Sequence, residues 1–297
     1  MADADAGAWK WAVRRRIWDL MERTGVAAAP RPVHHRIPNF VGAGAAGRRV
    51  AELAEFRSAR VLKVNPDTPQ RPVRMLALQQ GKRVLVPEAR LRTGFFAALD
   101  PSQLGQGQLA YACTQAGAAE LGTPVGIHLR EQVDLIVIGS VAVDPSTGAR
   151  IGKGEGFAEL EYGILRMQGC VDDTTPVVTC VHDCQLVDDI PLDKLALHDV
   201  CADIVVTPTR TFRVPRQPRP AGIYWELLSP QKLSQVRVLR QLKAEIEQRD
   251  GATLPTGPDA DLPPTARRTG KGRGQPARRT ENAAAAVDAG GKGKVPP

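Results

Sequence analysis

Aromatic residues are scarce, at 4% of a 297-residue chain. The sequence has no aromatic segment of the kind on which RNA-recognition domains stack bases, so a base-reading module is not expected. Long apolar runs are also missing. None approaches the roughly 18 residues that a helix needs to cross a bilayer, so no membrane partner is expected. The opening "MADADAGAWKWAVRRRIW" shows no apolar signal-like stretch and carries acids, which argues against a transit peptide. The expectation is a cytoplasmic or nuclear protein. The five cysteines are odd in number and lack framework spacing, which predicts reduced and mostly buried thiols. Cys180 and Cys184 stand four apart, but no second close pair completes a zinc site. One-signed charge is confined to one end. Residues 263–297 hold eight Lys or Arg and two acids, so most of the formal +8 belongs there and the remainder is close to neutral.

What is present is a globular pattern. Hydrophobic residues make up 42% of the chain, enough for a sizeable core. "AWKWAVRRRIWDLMERT" (8–24) reads as an amphipathic helix whose apolar face holds Trp11, Ile17, Leu20 and Met21, with Trp18 near its edge. Strand candidates follow in "RVLKVNP" and on either side of "QQGK" in "VRMLALQQGKRVLVP". "VDLIVIGSVAV" (133–143) and "TPVVTCVHD" (175–183) are apolar, β-branched runs of the buried-strand kind. "ADIVVTPTRTF" reads as one more strand. Helical stretches separate several of these strands, and this alternation predicts an α/β fold with a mainly parallel sheet covered on both faces. A last helix opens near Ser229, with Pro230 at its first position. Domain boundaries are set at residues 1–250 for the folded part and 251–297 for a tail rich in Gly, Pro, Ala and Arg. That tail has almost no large apolar residue to offset the entropy of ordering, so it is expected to be disordered.

The chemistry concentrates in "RIGKGEGFAELEYG" (150–163). A buried strand, the turn "DPSTG" and three alternating glycines precede a helix. Several backbone N–H groups can converge there on one oxyanion, and the helix start adds partial positive charge. Lys153 and Arg150 supply full charges. The spacing alone is equally compatible with a glycine-rich connector. It is not a Walker A loop, since Lys-Ser/Thr is absent after the last glycine. "GQGQLA" (105–110) mimics a dinucleotide fingerprint but follows no apolar strand. His182 and Cys184 share one side of an extended segment, and a hydrogen-bonded strand-end histidine explains them more simply than a Cys–His nucleophile does. His34 and His35 have no partner at metal-ligand spacing.

"DLIVIGSVAVDPSTGARIGKGEGFAELEYGIL" resembles the signature of the 5-formyltetrahydrofolate cyclo-ligase family. There, an apolar strand and a turn lead into Arg-Leu-Gly-x-Gly-x-Gly-Tyr-Tyr-Asp. "KWAVRRRIWDLM", "PRPVHHRIPNF", "LVPEARLRTGFF", "PVVTCVHDCQLVDDIP" and "VTPTR" extend the similarity over about residues 9–245. The resemblance implies a three-layer α/β/α sandwich. It also implies ATP- and Mg²⁺-dependent closure of 5-formyltetrahydrofolate to 5,10-methenyltetrahydrofolate, or a related reaction on a small folate-like substrate. Carried onto this sequence, it places Lys10 and Arg14, one helical turn apart, on the nucleotide. Arg150, Ile151, Gly152, Lys153, Gly154, Glu155, Gly156, Phe157 and Ala158 form the nucleotide loop. Glu159 and Asp199 become metal ligands, with Asp203 as a near neighbour of the second, and Asp67 contacts the substrate. The family's paired tyrosines are Phe157 and Ala158 here, and its aspartate is Glu159. These departures open an alternative: a catalytically impaired protein that keeps the nucleotide fold and associates with RNA through its basic tail.

Overall fold

The computed structural model describes residues 7–92 and 94–264. Helix α1 (Ala8–Arg23) forms as its periodicity predicts. Val13, Ile17, Trp18 and Met21 are buried, and Trp18 sits at the centre of the face rather than at its edge. A small hairpin of β1 (Ala27–Ala28) and β2 (Asn39–Phe40) leads to α2 (Ala43–Glu52) and α3 (Ala54–Ser58), which are separated by extended Leu53. Next come β3 (Val61–Val64), α4 (Arg71–Gln79) and β4 (Arg83–Pro87).

Two more strands, β5 (Phe96–Leu99) and β6 (Thr123–Val125), flank the short helices α5 (Leu109–Ala112) and α6 (Gln115–Leu121). Strand β7 (Leu135–Ile138) is followed by a second hairpin, β8 (Ala142–Val143) with β9 (Arg150–Ile151). Helix α7 (Phe157–Met167) leads to β10 (Val177–Cys180), β11 (Ile204–Val206) and β12 (Thr211–Arg213). Helices α8 (Pro230–Gln235) and α9 (Arg237–Asp250) complete the fold.

The main sheet runs in the order β12-β11-β10-β7-β3-β4-β5-β6. Its five central strands, β11 to β4, are parallel, and β12, β5 and β6 are antiparallel additions at the edges. Successive strand residues point to opposite faces, and the core divides accordingly. Leu62, Val64, Val84 and Val137 pack with α1, α2 and α4, whereas Val61, Leu85, Ile136 and Ile138 pack with α7 and α9. The sheet is mainly parallel and covered on both faces, as the alternation predicts, and forms the three-layer α/β/α sandwich that the resemblance implies.

Some elements differ from the sequence reading. "VRML" and the residues after it lie in α4, not in a strand. A short apolar run satisfies either periodicity, and Pro72 in the first turn with Met, Leu and Ala behind it favours a helix. "ADIVVTPTRTF" folds back on itself, because Thr207 accepts and donates across the turn at Pro208 and makes two antiparallel strands of it. Phe96–Leu99 and Thr123–Val125, at the sheet edge, carry no strong strand pattern and were not anticipated. All five cysteines are free thiols. Most of the basic tail, residues 265–297, lies outside the described residues. Residues 251–264 form no helix or strand, but Leu254, Gly257 and Ala260 donate backbone bonds to Glu247, Leu228 and Gln231. Among the described residues, no helix is long and apolar enough to cross a membrane.

Candidate functional site

In the parallel core the chain passes from β3 outward to β4, then returns to β7 and proceeds to β10 and β11. The order therefore reverses between β3 and β7. Carboxyl ends of strands at such a reversal point are where open α/β sheets bind ligands. Asn65 and Asp67 follow β3, and Gly139 and Ser140 follow β7. A β-carbon added at Gly139 would lie 2.9 Å from Ile37 and 3.2 Å from the Asp67 carboxylate, so glycine is what lets these turns approach.

The glycine loop covers this crevice. Gly154 and Gly156 hold φ of 99° and 73°, a region that side chains other than glycine adopt only with strain. Gly156 is the N-cap of α7, and no side chain caps it. Two loop carbonyls are occupied: Gly152 O accepts from Arg14 Nε at 2.8 Å, and Glu155 O accepts from Lys232 Nζ. Among the described residues, no protein acceptor is found for the backbone N–H groups of residues 152–156. Donors of this kind, at a helix start, form a nest for an anion.

The predicted side chains converge on that loop. Helix α1 brings Lys10 and Arg14. Lys10 is ion-paired with Asp199, and Arg14 stacks on Trp11 at 4.5 Å and is buried against the loop. Desolvation lowers the Arg14 pKa to about 10, with Glu159 and Asp199 pulling the other way. Both predicted metal ligands thus lie within electrostatic reach of one arginine.

Arg150 stands in β9, at the base of the loop. It is buried and donates to Gly139 O at 3.0 Å and to the Glu159 carboxylate, which locks the loop to the end of β7. Ile151 is a core residue. Lys153 is paired with Glu155 at 2.9 Å. Burial opposes its charge, but Asp67 and Glu155 outweigh that and raise its pKa. Phe157 and Ala158 are half-buried at the start of α7. Asp203 lies apart from this group. It caps β10 through Val177 N at 2.8 Å and pairs with Arg219 at 2.6 Å, which is a structural task. The His182 ring accepts from Cys184 N at 3.1 Å, and burial pushes the Cys184 thiol up to about 11, so no thiolate nucleophile is assembled there.

Sequence reasoning missed four residues. Lys63 in β3 and Glu161 in α7 form an ion pair at 2.5 Å beneath the loop, both almost wholly buried, with Lys63 also donating to Asn65 at 2.9 Å. A lysine inside "VLKV" and a glutamate inside "ELEY" were the available signals. Arg90, at φ 57°, reaches Glu155 at 3.6 Å. Lys232 of α8 sits 3.8 Å from the Phe157 ring centroid, and nothing local in its sequence points to the loop.

The donor set fits a phosphate chain: free loop amides with Lys10, Arg14, Lys153 and Lys232 around them. It also fits one divalent cation bound beside phosphate, since Mg²⁺ commonly takes only one or two protein carboxylates. Glu159 and Asp199 are the two carboxylates within electrostatic reach of Arg14, each paired with a basic side chain. Among the described residues, no group of three or more His, Cys, Asp or Glu is gathered to hold a metal without such a ligand.

Comparison with known proteins adds to this geometry. The model of the 5-formyltetrahydrofolate cyclo-ligase family matches residues 6–208. The methenyltetrahydrofolate synthase domain-containing protein of Bos taurus is 45% identical over 261 residues, or 85% of this chain and 68% of that protein. Its Homo sapiens counterpart is 43% identical over 244 residues, or 82% of this chain and 63% of that protein. The chain thus spans about two thirds of the length of these relatives. Among solved structures, the Aquifex aeolicus 5,10-methenyltetrahydrofolate synthetase is 18% identical with a TM-score of 0.43, covering 72% of this chain and 97% of that one.

Proposed function

Since the chain belongs to the 5-formyltetrahydrofolate cyclo-ligase family, we propose that it binds ATP in the glycine loop and closes 5-formyltetrahydrofolate to 5,10-methenyltetrahydrofolate. The observation that supports this reading is the set of loop N–H groups without an acceptor among the described residues, at the sheet reversal point, with Arg14 beside them.

In this reading the amides of residues 152–156 hold the phosphate chain, and Lys10, Arg14 and Lys153 offset its charge. Such fixed donors act where charge develops, so they cost little reorganisation during transfer. The folate formyl oxygen attacks the γ-phosphorus and ADP leaves. N10 then attacks the activated carbon, inorganic phosphate departs with the former formyl oxygen, and the N10 proton is lost. In this reading Asp67, which follows β3, contacts the substrate near its formyl group. Mg²⁺, when bound by Glu159 and Asp199, supplies extra neutralisation of phosphate charge. Arg150 keeps the loop and Glu159 in register through its bonds to Gly139 and Glu159.

Purified protein with ATP, Mg²⁺ and 5-formyltetrahydrofolate is expected to produce the methenyl compound, followed by its near-ultraviolet absorbance. Lys153→Ala is expected to lower kcat/KM at least tenfold, equivalent to about 1.4 kcal/mol of transition-state binding. Product formation no greater than that of the Lys153→Ala variant rejects the activity.

A further inference from the structure

The glycine loop carries its own anion. Glu155 lies between the second and third glycines, and the whole residue is 7% exposed. Its Oε2 is 2.9 Å from Lys153 Nζ, its Oε1 is 3.6 Å from Arg90, and its carbonyl receives Lys232. Three cations from three separate segments therefore gather around one loop residue. A buried carboxylate needs such company, because desolvation without it is costly. The pairing is by charge rather than by a directed hydrogen bond. Oε2 is buried and finds no partner with hydrogen-bond geometry despite its closeness to Lys153.

We propose that Glu155 is a resident counter-anion that sets how much negative charge a ligand can bring to this loop. The inference rests on the reading of the loop as a phosphate site. Its main-chain N–H serves the cradle while its side chain opposes the ligand. Glu155 offsets part of the charge of Lys153 and Arg90 as long as it stays between them, so a phosphate chain either displaces that carboxylate or meets it at close range. Asp67 adds a further acid facing Lys153, and Glu161 another. The loop therefore selects phosphate ligands whose charge is already partly cancelled by a divalent cation, and disfavours the bare polyanion.

The test is a calorimetric titration of the full chain with metal-free ATP, Mg²⁺–ATP and pyrophosphate, comparing wild type with Glu155→Gln. Glu155→Ser serves as a second variant, and thermal melts confirm folding. Removing the charge is expected to tighten metal-free ATP and pyrophosphate about tenfold, or about 1.4 kcal/mol. Mg²⁺–ATP should change several-fold less, so the wild-type preference for the metal complex shrinks. Wild type binding ATP with no gain in either variant overturns the proposal and leaves the phosphate site standing. No binding of any phosphate ligand by folded wild type and variants overturns both.

Discussion

Lys63 and Glu161 illustrate how single residues are constrained here. Each is almost fully buried, and each makes sense only beside the other. Removing one leaves an uncompensated charge in the core, so Lys63→Ala or Glu161→Ala is expected to cost about 3–5 kcal/mol. The double change Lys63→Met with Glu161→Leu should recover most of that, and urea unfolding of all three variants checks it. Lys232 gives a pH prediction. Desolvation lowers its pKa from 10.5 to about 8, with Glu155 and Glu159 opposing and Arg90 and Lys153 assisting. Between those two values the unfolded chain binds the proton and the folded chain does not. Stability therefore rises with pH through this window, and the full penalty of burying the ammonium applies below about pH 8. Urea midpoints of wild type relative to Lys232→Met, measured from pH 7 to 10, should show the wild type catching up as pH rises. A constant difference counts against a buried, titrating Lys232.

At the scale of elements, the glycine loop and α1 act as one unit. A β-carbon at position 154 would meet the Trp11 ring at 3.0 Å and the Arg14 guanidinium at 3.2 Å, on a backbone with φ of 99°. Gly154→Ala thus combines backbone strain of about 1–3 kcal/mol with displacement of the arginine that supports Gly152. The expected result is a modest fall in melting temperature and a loss of ATP affinity of tenfold or more, read by calorimetry. Helix α1 is itself anchored by Trp18, which is completely buried and donates to Arg36 O at 3.0 Å. Trp18→Ala should cost about 3–5 kcal/mol through the cavity it leaves. Because α1 also holds Lys10 and Arg14, nucleotide binding should weaken with it.

For the whole molecule, the family match ends at residue 208, but the folded unit does not. Trp225, Leu233, Val238, Leu239, Leu242 and Ile246 cover one face of the sheet and are buried against Leu85, Ile136 and α7. A chain ending at residue 208 would expose that face and lose Lys232 from the loop. Such a truncation is expected to bind a hydrophobic dye and to lose its cooperative thermal transition. A sharp melt like that of the full chain would show that the C-terminal helices are dispensable for folding.

Periodicity and composition by themselves determined the amphipathic α1, the buried strands at 61–64, 135–138 and 177–180, and the sandwich they build. Those signals are local, since one stripe or one alternating run declares which side faces a core. The glycine loop was also legible, because only a backbone in need of positive φ and close approach is written as Gly-x-Gly-x-Gly. Local pattern could not separate helix from strand at α4, where a short apolar run fits both. Nor could it see β5 and the edge strand β6, which owe their existence to pairing partners. Only the tertiary structure decided which charges oppose and which assist. Lys63 meets Glu161 across 98 positions of chain, and Arg90, Lys153 and Lys232 meet around Glu155 from three segments. The electrostatic character of the loop is therefore a product of packing, because charges interact through space at a few ångströms irrespective of their separation along the chain.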